Sequence, residues 1–401
     1  MPTCDVICRV EMKGLFLLMK ACLAIVLLVL VCGCMAPQAK QEKKLDPVFF
    51  PPAPDPPRIQ FLLSIGNSLD VEGREVETSL FAVKPVENRR ARSLLKPFGV
   101  ALHGDLIYVA DSLIGRVAVI NLREKSFEWL KGDERGGKLQ KPLNLTTDAE
   151  GNLYVADVGR NRILVYDAAG NFTSILGDGY DIEPVDVAVD ERHVYVLDRN
   201  SSQILVLRKR DGELVEGLGQ GRENLYENLW LPTTMTLSDR GVFYVANAGT
   251  GMIIQIDRDG NFLSSLGKMG DRPGQFARPR GVALDSDGRL YVVDAGHQNV
   301  QMFNKDNRLL MHFGDPGVSR GYLNVPAGIA VSNENLDLYQ QYAEPNFKLE
   351  QVIFVISQIQ PFHLNIYGLG KKTDFDYEGY YRKTEELRQQ EAGDAGTEDG
   401  K

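Results

Sequence analysis

The sequence predicts an all-β fold, a six-bladed β-propeller of four-stranded blades occupying residues 58–370. Three observations carry that expectation. A proline-led apolar segment recurs six times, a second apolar run follows each copy after about ten residues, and further runs trail it at near-constant spacing. Neighbouring prolines stand about 42–48 residues apart, the length of a propeller blade.

The first strands begin Pro97-Phe-Gly-Val-Ala, Pro142-Leu-Asn-Leu-Thr, Pro184-Val-Asp-Val-Ala, Pro232-Thr-Thr-Met-Thr, Pro279-Arg-Gly-Val-Ala and Pro326-Ala-Gly-Ile-Ala. The second runs, such as LYVAD and VYVLD, end on Asp111, Asp157, Asp198, Asn247, Asp294 and Ser357. In the first five copies a third strand starts five residues later, at Arg116, Arg162, Gln203, Met252 and Asn299. Turns such as Asp211-Gly212 and Asp259-Gly260 suit a tight hairpin. The fourth strands then end on Gly132, Gly177, Gly219, Gly267 and Gly314. The runs are apolar on both faces, as strands sandwiched between stacked sheets require.

Copy six has no fourth strand after Tyr367 and carries an insertion at about residues 334–350. Residues 58–66 (RIQFLLSIG) match the pattern of residues 261–267 and are expected to complete that blade. Closing the ring in this way removes exposed strand edges. Three residues before the prolines, Leu94, Leu139, Leu229, Phe276 and Leu323 are expected as buried wedges between blades, with Asp181 the exception.

The run Gly270-Asp-Arg-Pro-Gly-Gln-Phe-Ala-Arg-Pro-Arg-Gly-Val-Ala-Leu-Asp285, followed by Gly288-Arg-Leu-Tyr-Val-Val-Asp294, resembles the NHL repeat. The resemblance spans roughly residues 58–370, strongest in copies two, four and five, and implies a six-bladed ring. Related rings include lactone hydrolases, peptidyl-amide lyases and pure binding domains, so it implies a fold and not an activity.

The flanks point to export. Residues 21–31 are an apolar run with the length of a signal-peptide core, preceded by Lys13 and Lys20. The run ends at Cys32-Gly33-Cys34, which resembles a bacterial lipobox with Cys34 as the acylated residue; Met12 or Met19 would give a better-formed leader than Met1. All five cysteines lie in the first 34 residues, so the remaining chain has no cysteine-based zinc or haem site. The expected organisation is a leader (1–33), a Pro- and Lys-rich tether (34–57), the propeller (58–370) and a charged tail (371–401). Residues 377–390 are read as a short helix and the last ten as disordered. Met35 after Cys34 favours the outer membrane over the inner by resemblance to Gram-negative sorting rules.

The net charge of −9 gives no support to nucleic-acid binding. His103, His193, His297, His312 and His363 share no repeat position, so they are not expected to converge on the axis. The repeated Asp111, Asp157, Asp198 and Asp294 are read as blade-internal groups, bonding backbone N–H and pairing with Arg116 or Arg162, rather than as a Ca²⁺ ring.

Two features resist that explanation. Two residues after each proline the family pattern has Gly, but three consecutive blades carry Asn144, Asp186 and Thr234, a candidate site at the channel mouth. The loops between fourth and first strands hold Arg135, Arg222, Tyr226, Trp230, Arg272, Arg278, Arg280, Arg320 and Tyr322, the residue types enriched at interface hot spots. The expected function is a lipid-anchored cell-envelope scaffold that binds a protein or peptide, with no cofactor. The alternative is an envelope hydrolase or lyase with Asp186 and Asn144 beside a bound metal, Ca²⁺ among the candidates. A binding role is expected ahead of catalysis.

Overall fold

The structure is a computed structural model describing residues 46–73, 91–132, 134–220, 223–384 and 386. The chain divides into two compact units, Met1–Asp46 and Pro47–Lys401, and the description below concerns the second. Cys34 and the leader lie outside the described residues.

Six antiparallel sheets form the blades, five of four strands and one of five. Their innermost strands are Pro97–His103, Pro142–Thr147, Pro184–Val189, Pro232–Leu237, Pro279–Leu284 and Pro326–Ser332, packed side by side around the axis. The predicted closure is present: Ile59–Ile65 pairs antiparallel with Leu364–Lys372, from Ile59 opposite Leu369 to Ile65 opposite Leu364.

Blade six is larger than expected. Val48–Phe50 adds a fifth strand outside the closure strand, with Val48 opposite Phe61 and Phe50 opposite Ile59. This segment falls within the expected tether; its prolines suggest an extended linker, but Phe49 and Phe50 reach an apolar surface. Phe50 packs 6.3 Å from the Phe313 ring and 6.4 Å from Tyr367, and Phe49 lies 5.3 Å from Phe347. The insertion is a short helix, Leu336–Gln340, after which the second strand runs for 11 residues, Phe347–Ser357. The tail begins by packing on the body: residues 377–384 are helical, and the buried Tyr377 donates its hydroxyl to the Pro57 carbonyl at 2.6 Å. Residues 387–401 lie outside the described residues.

The core lies between blades. Leu94, Leu139, Leu229, Phe276 and Leu323 are all buried, and in blade three Ile182 takes the place that Asp181 leaves. The glycines ending fourth strands serve these wedges. Gly177, Gly219, Gly267 and Gly314 have φ between 80° and 95°, and a Cβ there would press on Ile182, Leu229, Phe276 and Leu323 respectively.

Candidate functional site

Each inner strand begins with a β-bulge; in blade three, Pro184 opposes Asp198 while Asp186 opposes Leu197. The bulge brings the second residue after the proline against the neighbouring blade. At Gly99, Gly281 and Gly328 a Cβ would collide with the carbonyls of Leu143, Ala327 and Phe98, each in the next blade. Where the glycine is replaced, side chains occupy that contact. Asn144 Nδ2 donates to the Val185 carbonyl at 2.8 Å, and Asp186 Oδ2 accepts the Met235 N–H at 2.7 Å. Asp186 Oδ1 accepts the Val187 N–H at 2.8 Å, and the buried Thr234 Oγ1 has no hydrogen-bond partner among the described residues.

The structure therefore brings Asn144, Asp186 and Thr234 together on the wall of an axial cavity of about 300 Å³. Burial pushes the Asp186 carboxyl up to about 7, against the lowering effect of its two N–H bonds. Ca²⁺ takes six to eight oxygens. The cavity offers one carboxylate whose two oxygens already accept backbone bonds, a poor donor set for that ion.

The repeated carboxylates are buried latches. Asp157 accepts from the N–H groups of Gln140 and Lys141 ahead of the first strand and from Gly159 in its own hairpin, at 2.6–2.9 Å. Asp111 and Asp294 repeat the pattern, and Asn247 substitutes in blade four by accepting from Trp230 N–H and donating to the Asn228 carbonyl. The expected pairing with arginine is corrected. Arg162 instead reaches Asp178 at 3.1 Å, and Arg116 lies over the Trp129 ring, because backbone N–H groups already occupy the latch carboxylates. The histidines are dispersed: His297 bonds Asp294, His193 sits beside Asp190, His312 beside Asp315, and His363 Nδ1 bonds the Ser357 carbonyl.

The face carrying the loops into the first strands divides the predicted partner residues. Tyr226 and Trp230 are 65% and 58% exposed, and Arg272 and Arg278 are exposed. Arg280, Arg320 and Tyr322 turn inward, Arg320 lying over the Phe61 ring at 5.6 Å. Arg135 opens a single helical turn, and Arg222 lies outside the described residues. Leu231 and Met269, not singled out from sequence, are also more than half exposed. Gly249 faces the Trp230 ring and Gly251 backs onto Met269, so Trp230, the 249–251 loop and Met269 form one continuous patch.

Sequence reasoning missed a larger cleft, about 710 Å³, on the opposite face. Lys209 of blade three meets Asp148 of blade two at 2.9 Å, and Arg258 of blade four meets Asp190 of blade three at 3.2 Å. Burial pushes both carboxyls up, but hydrogen bonds outweigh it and hold them below the usual carboxylate range. The signal was available as an Asp followed five or six residues later by Tyr: Tyr154, Tyr195 and Tyr291 donate to Asp148, Asp190 and Asp285.

Residues 276–303 match the family model of the NHL repeat. Among solved structures the chain is similar to a gluconolactonase from Xanthomonas campestris at 16% identity, covering 81% of this chain and 98% of that one with a TM-score of 0.52. It is also similar to a protein of unknown function from Bacteroides thetaiotaomicron at 15% identity, covering 69% of this chain and 70% of that one with a TM-score of 0.54. These likenesses show the propeller fold. No curated protein sequence matches the chain.

Proposed function

We propose that this NHL-repeat propeller is a binding scaffold, displaying its loop face to a partner protein and held in the cell envelope by a lipid on Cys34. One observation carries the reading: the large side chains of Trp230, Leu231 and Met269 are exposed, and the Trp230 backbone is held by hydrogen bonds. Trp230 is 58% exposed, yet its N–H bonds Asn247 Oδ1 at 2.5 Å and its carbonyl accepts the Gly249 N–H at 2.9 Å. A pre-organised aromatic anchor loses little freedom on binding. The exposed Arg272 and Arg278, in the loop that enters the first strand of blade five on the same face, favour a partner segment in which apolar residues alternate with acidic ones.

A photo-crosslinking residue at position 230 tests this in native membranes. One discrete protein adduct is expected, absent when the same group replaces Leu263 on an outer strand and weakened by Arg278→Glu. No adduct at position 230 would overturn the reading. The anchor has its own check: Cys34→Ser should release the protein from the outer-membrane fraction.

A second reading, an envelope hydrolase or lyase, draws on the unpartnered Thr234 hydroxyl in the cavity that also holds Asp186. A stoichiometric divalent ion in the purified protein, lost with Asp186→Ala, would favour it over the scaffold.

A further inference from the structure

The first residues after the inner-strand prolines are Phe98, Leu143, Val185, Thr233, Arg280 and Ala327. The lining of the axial cavity begins one or two residues further along each strand, so these six ring its loop-side end. Arg280 is the charged member. Its Nη1 donates to Gln358 Oε1 at 2.7 Å, and its guanidinium lies over the Phe98 ring at 5.0 Å. It thus reaches from blade five past the small, fully buried Ala327 of blade six to blade one, across the mouth.

No carboxylate among the described residues pairs with it, whereas three other partly buried cations are matched. Arg58 meets Glu350 at 3.2 Å, Lys209 meets Asp148 at 2.9 Å and Arg289 meets Asp285 at 2.9 Å. Burial, and then the like charge of Arg278, push the Arg280 guanidinium down to about 10, so it remains a cation at neutral pH. A partly desolvated cation without a counter-charge costs free energy, and a guanidinium has five donors of which Gln358 takes one. The fork that remains suits a planar oxyanion, and Phe98 and Leu143 supply apolar wall for a carbon stem beside it.

We propose that Arg280 anchors a carboxylate-binding subsite at the loop-side mouth of the axial channel, taking a carboxylate from the ligand that this face engages. This rests on the scaffold reading for the source of the ligand, though not for the subsite itself. The carboxylate comes either from an acidic residue or C-terminus of the partner protein, or from a free small acid.

The test uses the full chain in carboxylate-free buffer at constant ionic strength, with acetate, succinate and N-acetyl-glutamate amide as probes and chloride as control. Carboxylates should raise the wild-type Tm saturably and chloride should not. Arg280→Met should weaken the response at least ten-fold while raising the ligand-free Tm by about 2 °C, because an uncompensated charge is replaced by an apolar chain of similar length. Arg280→Lys should keep the charge but lose most of the response, and Arg272→Ala should respond as wild type. An Arg280→Met protein that is less stable than wild type and still responds to carboxylates would overturn the proposal, as would equal responses to chloride. The crosslink at position 230 separates the sources: loss of the adduct in Arg280→Met assigns the carboxylate to the partner, and its persistence assigns a free acid. A saturable response without any adduct would leave the subsite standing and remove the scaffold.

Discussion

Asp186 stands where three sister blades have glycine, and its neighbours set its chemistry. Its carboxyl has an ordinary value of 3.8 and rises to about 7 in the fold, with burial as the cause. Between those values the folded chain binds more protons than the unfolded one, so this group makes stability fall as pH rises from about 4 to about 7. Asp148 and Asp190 act in the opposite direction and in a lower window, their contribution being lost as pH falls through their depressed folded values. Urea midpoints at pH 4.5 and pH 7.5 should therefore differ less in Asp186→Asn than in wild type. The glycines at the same position make the converse prediction. Gly328→Ala puts a Cβ against the Phe98 carbonyl and should cost about 1–3 kcal/mol in chemical denaturation.

Within a blade, the latch carboxylates join the end of the second strand to the approach of the first. Asp157→Ala strands the N–H groups of Gln140, Lys141 and Gly159 and should cost about 3 kcal/mol or more, with amide exchange accelerating first at those positions. Asp157→Asn should cost less, since Asn247 performs the same task in blade four. This element was legible beforehand because the Asp recurs at a fixed distance from a fixed hairpin. The missing Asp–Arg pairs were not, since spacing places Arg162 near Asp157 but does not reveal that Asp178 competes for it. The fifth strand Val48–Phe50 was hidden for a similar reason: proline content reads as linker, and the rings that Phe50 packs on, Phe313 and Tyr367, lie more than 200 positions away.

For the whole ring, closure by Ile59–Ile65 couples the two ends of the propeller. A chain beginning at residue 58 loses the outer strand and Phe50, and should melt lower while eluting in the same assembly state as the full chain. A chain beginning at residue 67 loses the closure strand, leaves the edge of Leu364–Lys372 unpaired, and should self-associate in size-exclusion chromatography.

Blade number, the closure strand, the wedges and the latches were all determined by the sequence alone. Each is a local pattern repeated several times, so departures in one copy are outweighed by agreement in the others. Only the tertiary structure decided which polar side chains lack compensation. Asn144 and Asp186 line the axial cavity, yet contacts with the next blade, 41 and 49 residues on, turn them into staples. Arg280 reads from sequence as one of the loop-face arginines, whereas the packing of blades five, six and one places it across the channel mouth with no carboxylate among the described residues to meet. Burial and pairing depend on residues far apart in the chain, and a repeat records only what its copies share.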